Sequence, residues 1–246
     1  PTRKQEAWRL TDLKRLEALA TLPEVSEIPD PLMPAVSDGM TRLVLGGQRD
    51  PLDGVSLPEG VTPLTEAELN RHLGQTLDHC GCAEAWPVEL NQAHSQHVLA
   101  LRVCGKVPAL ELVLASGVGL TATRVLLLLE DNAELELLQV FPPGSSSSDG
   151  QCAHSHVLEV HLGQNARLRH GVLASGTGNA SLMVHLAIEQ EPSSHYGLTS
   201  VCRGWRFGRL EPRVLQLEGQ ATTGIHGLSL TTADEQFATH SSMRFG

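Results

Sequence analysis

The sequence predicts a mainly β protein: a stack of repeated coils behind a small helical N-terminal region. Three observations predict it. The stretch from Val125 to Ser175 reads as short strands with no helix between them. In it Leu158, Val160 and Leu162 alternate with Glu159 and His161, and a period of two puts the apolar set on one strand face. One short phrase also recurs. Leu129-Glu130-Asp131-Asn132-Ala133 precedes Glu-Leu-Glu-Leu, Leu162-Gly163-Gln164-Asn165-Ala166 precedes Arg-Leu-Arg, and Leu217-Glu218-Gly219-Gln220-Ala221 precedes Thr-Thr-Gly-Ile. The three alanines lie 33 and 55 residues apart. Strand, polar corner, small Ala, next strand is the signature of stacked coils rather than of a hairpin sandwich. Finally, the aromatic content is 3%, which suits a narrow interior filled by Leu, Val, Ala and Gly.

Composition bounds the function. A chain of 246 residues buries a sizeable core, in one large domain or two. The net charge is -10, from 18 basic and 28 acidic residues, which argues against a nucleic-acid or anionic-membrane surface. The longest apolar run, Val125 to Leu129, is one strand and far short of a membrane span. The first residues, PTRKQEAW, are polar and do not read as a signal peptide. Five cysteines without framework spacing predict a reducing compartment.

The elements follow in order. Residues 1–97 read as a helical and irregular region. Thr11 is placed to cap a helix carrying Leu13, Leu16, Leu19 and Ala20, with Trp8 upstream to pack against something larger. Residues 22–63 hold seven prolines and read as an extended arm with strand pieces such as Arg42 to Leu45. Thr65-Glu66-Ala67-Glu68 matches a capping box, and Leu69, Leu73 and Leu77 predict one helix from about Glu66 to Leu77. Residues 98–246 read as strands broken by Gly and Pro, with a flexible loop over 141–150. The strand pattern runs to the last residues, and a stack of coils whose end is open needs a cap or a partner.

A resemblance then becomes specific. PTRKQEAWRLTDL, through Pro1, Arg3, Glu6, Trp8, Thr11, Asp12 and Leu13, resembles an N-terminal motif of the SufB/SufD family of iron–sulfur cluster assembly proteins, in its SufD branch. Leu90-Asn91-Gln92-Ala93 is similar to the family's step ahead of its core. RVLLLLEDNAELELLQVF and HSHVLEVHLGQNARLRHGVL resemble two consecutive core segments, most specifically through Gly163, Asn165, Ala166, Leu168 and His170. A later stretch resembles the family through Gly219, Gly227 and Thr239-His240-Ser241. The resemblance implies a right-handed parallel β-helix flanked by helical regions. It implies a scaffold subunit, not an enzyme, that pairs with SufB and the ATPase SufC, as a hetero-oligomer or a homodimer when alone. The complex handles iron or the nascent cluster, and the chain itself binds no cofactor. The cytoplasm or a plastid stroma is the implied location. The family's Ser-His-Gly interface motif and its SufC-binding C-terminal region have no match here, so no catalytic residue is carried over.

The candidate residues each have a plainer reading. Cys80 and Cys82 pair two thiols near His79 and His72, but the plain reading is two reduced thiols after a helix. His154 and His156 share a strand face and, with His170 a coil later, make a candidate metal flank; the plain reading is a polar, mobile outer edge. Cys104, Cys152 and Cys202 are single, and Cys104 and Cys202 read as small buried strand residues. Gly117 and Gly119 lack the following helix and Lys of a phosphate loop. Glu130, Asp131 and Glu134 read as solvated corner acids. The alternatives to a scaffold are a carbohydrate-active β-helix enzyme, for which the aromatic content is poor, and a His/Cys metal-delivery module.

Overall fold

The computed structural model describes all residues except 3, 10, 26, 27, 29, 30, 32, 47–49 and 144–150. Arg3 of the N-terminal motif and most of the predicted loop therefore lie outside the described residues. Fourteen described strands form two sheets: β1 (Thr41–Leu45), β2 (Val61–Pro63), β3 (Val98–Val103), β4 (Leu110–Leu114), β5 (Gly119–Leu129), β6 (Glu134–Phe141), β7 (Cys152–Leu162), β8 (Arg167–Ser175), β9 (Ser181–Gln190), β10 (His195–Arg203), β11 (Phe207–Gln216), β12 (Thr222–Leu230), β13 (Gln236–Thr239) and β14 (Ser242–Phe245). From β3 onward the strands fall alternately in one sheet and the other as far as β13. One sheet runs β1-β4-β6-β8-β10-β12; the second runs β13-β11-β9-β7-β5-β3-β2, with β14 also on β11. Every pair is parallel except β2–β3. This is a parallel β-helix of about five turns, as the mainly β reading predicts.

The corner between the two strands of each coil explains the recurring phrase. Asn132, Asn165 and Gln220 take left-handed backbone at φ 61°, 59° and 57°, a region in which Asn is at home. Ala133 and Ala166 follow with no exposure, because the interior there holds only a small side chain. Ser193 is a fourth such corner, at φ 63°, followed by buried Ser194. The 55-residue step between phrases therefore hides a whole coil, whose corner Glu191-Pro192-Ser193-Ser194 lacks the Asn-Ala wording. The backbone ladder continues through the corners: Arg167 N–H donates to Ala133 O at 2.7 Å, and His195 N–H to Ala166 O at 2.8 Å.

Alternation builds the core. On β7 the even-numbered Leu158, Val160 and Leu162 join the interior cluster with Leu127, Leu186 and Leu210 from neighbouring coils. The odd-numbered set faces outward and is covered. Helices α1 (Leu13–Leu19), α2 (Glu66–His72), α3 (Gln75–His79) and α4 (Trp86–His94) belong to the N-terminal region, and α3 and α4 pack on β7 and β9. The N-terminal region also supplies sheet: β1 pairs with β4 in register Thr41↔Leu110, placing Leu43 and Leu45 in the core.

Several predicted details change. Asp12, not Thr11, caps α1, its carboxylate accepting from the N–H groups of Lys14 and Arg15 at 3.1 and 3.3 Å. Thr11 instead accepts from Arg209 Nη1 at 3.2 Å. That guanidinium lies 4.1 Å from the Trp8 ring centroid and donates to Ala7 O at 2.8 Å, so one arginine of the β-helix holds Ala7, Trp8 and Thr11 of the N-terminal motif. Trp8 also meets Trp86 edge-on. The capping box at Thr65 and Glu68 forms, but the helix beyond it is two helices, broken at Leu73 and at Gly74 with φ 87°. Glu159 Oε2 accepts the Gly74 N–H at 2.8 Å, and the same carboxylate pairs with buried Arg124 at 2.8 Å. A buried tertiary acceptor wins over the local i+4 leucine pattern. Phe141, read as loop, ends β6 and is buried inside the β-helix.

Candidate functional site

The interior polar chain is the first place where titratable groups converge. His154 and His156 share the parity of Leu158, so they point inward and are 2% and 1% exposed. They are neither a mobile edge nor a surface flank. Gln139, on β6 of the facing sheet, lies between His156 and His170. Its amide N–H donates to His156 Nε2 at 2.7 Å, so neutral His156 carries its proton on Nδ1 and donates to Thr123 Oγ1 at 2.8 Å. The Thr123 hydroxyl then donates to His154 Nε2 at 2.8 Å. On the other side His170 Nε2 donates to Gln139 Oε1 at 2.9 Å, leaving its Nδ1 to accept from the Tyr196 hydroxyl at 3.0 Å. Burial holds His154 and His170 down to about 3 and His156 well below its usual value, so all three are neutral. Five of their six ring nitrogens take part in these hydrogen bonds, inside the coils rather than on a flank.

The cysteines are equally occupied. Cys80 caps the end of α3 and Cys82 follows it, both 6% exposed. Burial pushes each thiol up to about 12, so both are protonated thiols, poor as nucleophiles. Cys80 S–H points to Ile188 O at 3.6 Å and Cys82 S–H to Leu77 O at 3.4 Å. Cys152 and Cys202 are buried inside the coils, with Cys202 pushed up to about 12 by burial. Cys104 differs from its strand reading: it lies one residue beyond β3 and is half-buried beside Glu130. Gly117 N–H is taken by Thr121 Oγ1, and Gly119 opens β5. Glu130 pairs with Arg102 at 2.8 Å, Glu134 with Lys106 at 3.4 Å, and Asp131 Oδ1 accepts from Gln164 N–H at 2.8 Å, so the three acids do corner work one by one.

A cluster that alternation alone leaves unassembled lies on the outer face under the α2–α3 connection. His161 on β7 and Glu189 on β9 are register partners one coil apart, and Glu191 follows at the corner. His161 Nδ1 lies 3.7 Å from Glu189 Oε1, and His79 Nδ1 lies 2.7 Å from Glu189 Oε2. Its signal in the sequence is the coil repeat, which the atypical corner at 191–194 conceals.

The two sheets differ on their outer faces. The sheet containing β7 and β9 is covered by the N-terminal helices. The other is bare: β8 and β10 show alternating exposed residues, and β12 is exposed over most of its length. A groove there is lined by Lys106, Glu134, Arg167, Arg169, His195 and Thr222. At the end of the stack Leu228 and Leu230 are each 51% exposed and Phe245 is 71% exposed.

Comparison with known proteins matches this architecture. Residues 112–246 match the family model of the SUF system FeS cluster assembly SufBD core domain. The chain is also similar to Protein ABCI7, chloroplastic, of Arabidopsis thaliana, with 24% identity over 265 residues that cover 99% of this chain and 55% of that protein. The chain thus spans about half the length of this relative. A matched core domain over more than half its length, on a parallel β-helix with the repeating Asn-Ala corners, places the chain in the SufB/SufD family of the SUF iron–sulfur cluster assembly system.

Proposed function

We propose that this chain is a non-enzymatic scaffold subunit of the SUF complex, of the SufD kind, which joins SufB and SufC and supports cluster building and iron acquisition. Iron or the nascent cluster is the cargo of the complex. The observation that carries the reading is the match of residues 112–246 to the SufBD core domain, on a parallel β-helix with one bare outer sheet face. Strand β12 has no neighbour on its far side among the described residues, and it carries exposed Leu228 and Leu230. Leu228 and Leu230 stand on the outer face of that sheet, in register with Val201 and Arg203 of β10, where the apolar surface of a protein partner can cover them. The acidic balance fits a protein partner rather than nucleic acid. Cytoplasm or plastid stroma is the compartment this reading implies; the Arabidopsis relative is named chloroplastic.

The test is co-purification with tagged SufB and SufC expressed in the same cell. Both are retained with the native chain. Leu228→Lys together with Leu230→Lys lowers retention of SufB at least tenfold while the circular dichroism spectrum and Tm stay unchanged. If the chain purifies alone while SufB and SufC assemble without it, the scaffold reading is wrong.

A further inference from the structure

We propose that His161, Glu189 and Glu191 form a binding site for a divalent first-row transition-metal ion on the outer face of the β-helix, beneath the α2–α3 connection. The site stands whether or not the chain meets SufB. One ligand atom from each of the three residues lies within 4.8 Å of the other two. An ion about 2.0–2.2 Å from each nitrogen and oxygen holds its ligand atoms roughly 3–3.6 Å apart. The 3.7 Å between His161 Nδ1 and Glu189 Oε1 is already close to that spacing. Register fixes the two ligands: they stand side by side on adjacent parallel strands, β7 and β9, so the backbone ladder preorganises half of the site.

The surroundings complete the argument. The Glu189 side chain is only 7% exposed, and its second oxygen is held by His79 Nδ1 at 2.7 Å. His79 thus fixes the carboxylate and leaves Oε1 to face His161, as outer partners do for metal-binding carboxylates. Burial pushes the Glu189 carboxyl up, but His161 and His79 together hold it below its usual range, so it is ionised. His161 is raised by the Glu189 carboxylate beside it, and further by Glu191 and Asp131. Negative charge therefore converges on one imidazole. A divalent cation binds the neutral imidazole, and the carboxylates facing it supply the balancing charge. One imidazole with two carboxylates suits Zn2+, Co2+ or Fe2+. All-oxygen sites suit Mg2+ and Ca2+, and thiolates suit Cu(I). Three protein ligands leave the remaining coordination positions to water.

Calorimetric titration of the full chain with Zn2+ tests the site, with Co2+ absorption as the readout of nitrogen and oxygen coordination. One saturating equivalent binds, and excess Mg2+ does not displace it. His161→Ala and Glu191→Gln each weaken binding more than tenfold, and His79→Ala weakens it about tenfold. Cys80→Ser together with Cys82→Ser leaves binding unchanged. Because Glu191 is half-buried at a corner, Glu191→Gln preserves the fold and decides the case should His161→Ala lose structure. Absence of a saturating equivalent, native affinity in Glu191→Gln, or loss of binding in the cysteine variant overturns the proposal.

Discussion

Gly163 sits where two corners touch. A Cβ built on it meets Asp131 Oδ1 at 2.7 Å, the Asp131 backbone nitrogen at 2.8 Å and the Glu130 carbonyl carbon at 2.9 Å. Two of those atoms are backbone, so Gly163→Ala has to push one coil off the next. The expected cost is about 1–3 kcal/mol, the range for overpacking a well-packed site. It appears as a lower urea midpoint with an unchanged m value; an unchanged midpoint means that the corner has room. The sequence gives this glycine away through its place in the repeated corner phrase. The two inward histidines were equally open to reading, because His154 and His156 carry the parity of Leu158. They read as surface residues only because imidazole is polar. What seats them inside is Thr123, Gln139, His170 and Tyr196, contributed by four other strands, and no local pattern in the sequence announces that set.

At the scale of elements, the N-terminal region is held by few, specific contacts. Trp8, Leu16 and Leu19 pack with Leu120, Ala153, Met183 and Phe207 on the outer sheet face. Trp8→Ala removes the ring under Arg209 and leaves a cavity, a loss of about 3–5 kcal/mol when a large aromatic is truncated. The expected result is faster amide exchange across residues 11–22, with protection in β7 and β9 retained. Equal loss of protection throughout would mean that this segment and the coils unfold as one unit. Helix α4 went unread, but the capping box at Thr65 and the apolar spacing of α1 are local chemistry and were legible. The break at Gly74 was not, because the carboxylate that captures its N–H belongs to Glu159, a strand residue 85 positions away. Asn91, on the unread α4, donates its side-chain amide to Thr123 O and Ser155 O at 3.1 Å each, tying α4 to β5 and β7.

For the whole molecule, the buried imidazoles set the response to acid. His154, His156 and His170 are neutral when folded and take up protons when unfolded. The unfolded state therefore binds more protons below the ordinary imidazole value of 6.5. Their effect is absent above that pH and grows as pH falls toward about 3. At pH 4.5 His154 and His170 each cost roughly 3 kcal/mol, a large fraction of the stability of an ordinary domain, and His156 acts in the same direction. Glu211 extends the loss downward. Burial opposes its ionisation, yet His185 and Arg209 hold it down to about 2, so its stabilisation is present above 4.5 and lost between 4.5 and about 2. His161, raised in the fold, works in the opposite sense, but at 35% exposure solvent screens its share. The chain is expected to unfold near pH 4–5 by circular dichroism, and His154→Gln to move that midpoint to lower pH. A Tm that stays flat from pH 6.5 to 5 would contradict the sealed interior. The sequence by itself determined the β coils, the corners with their small residues, the helical N-terminal region and the family. Period, turn chemistry and motif wording are local properties. The tertiary structure alone decided which partners seat the inward histidines, where the second helix breaks, and that His161 stands beside Glu189. Those outcomes depend on how many residues each coil spends before the chain returns, and stacking fixes that count.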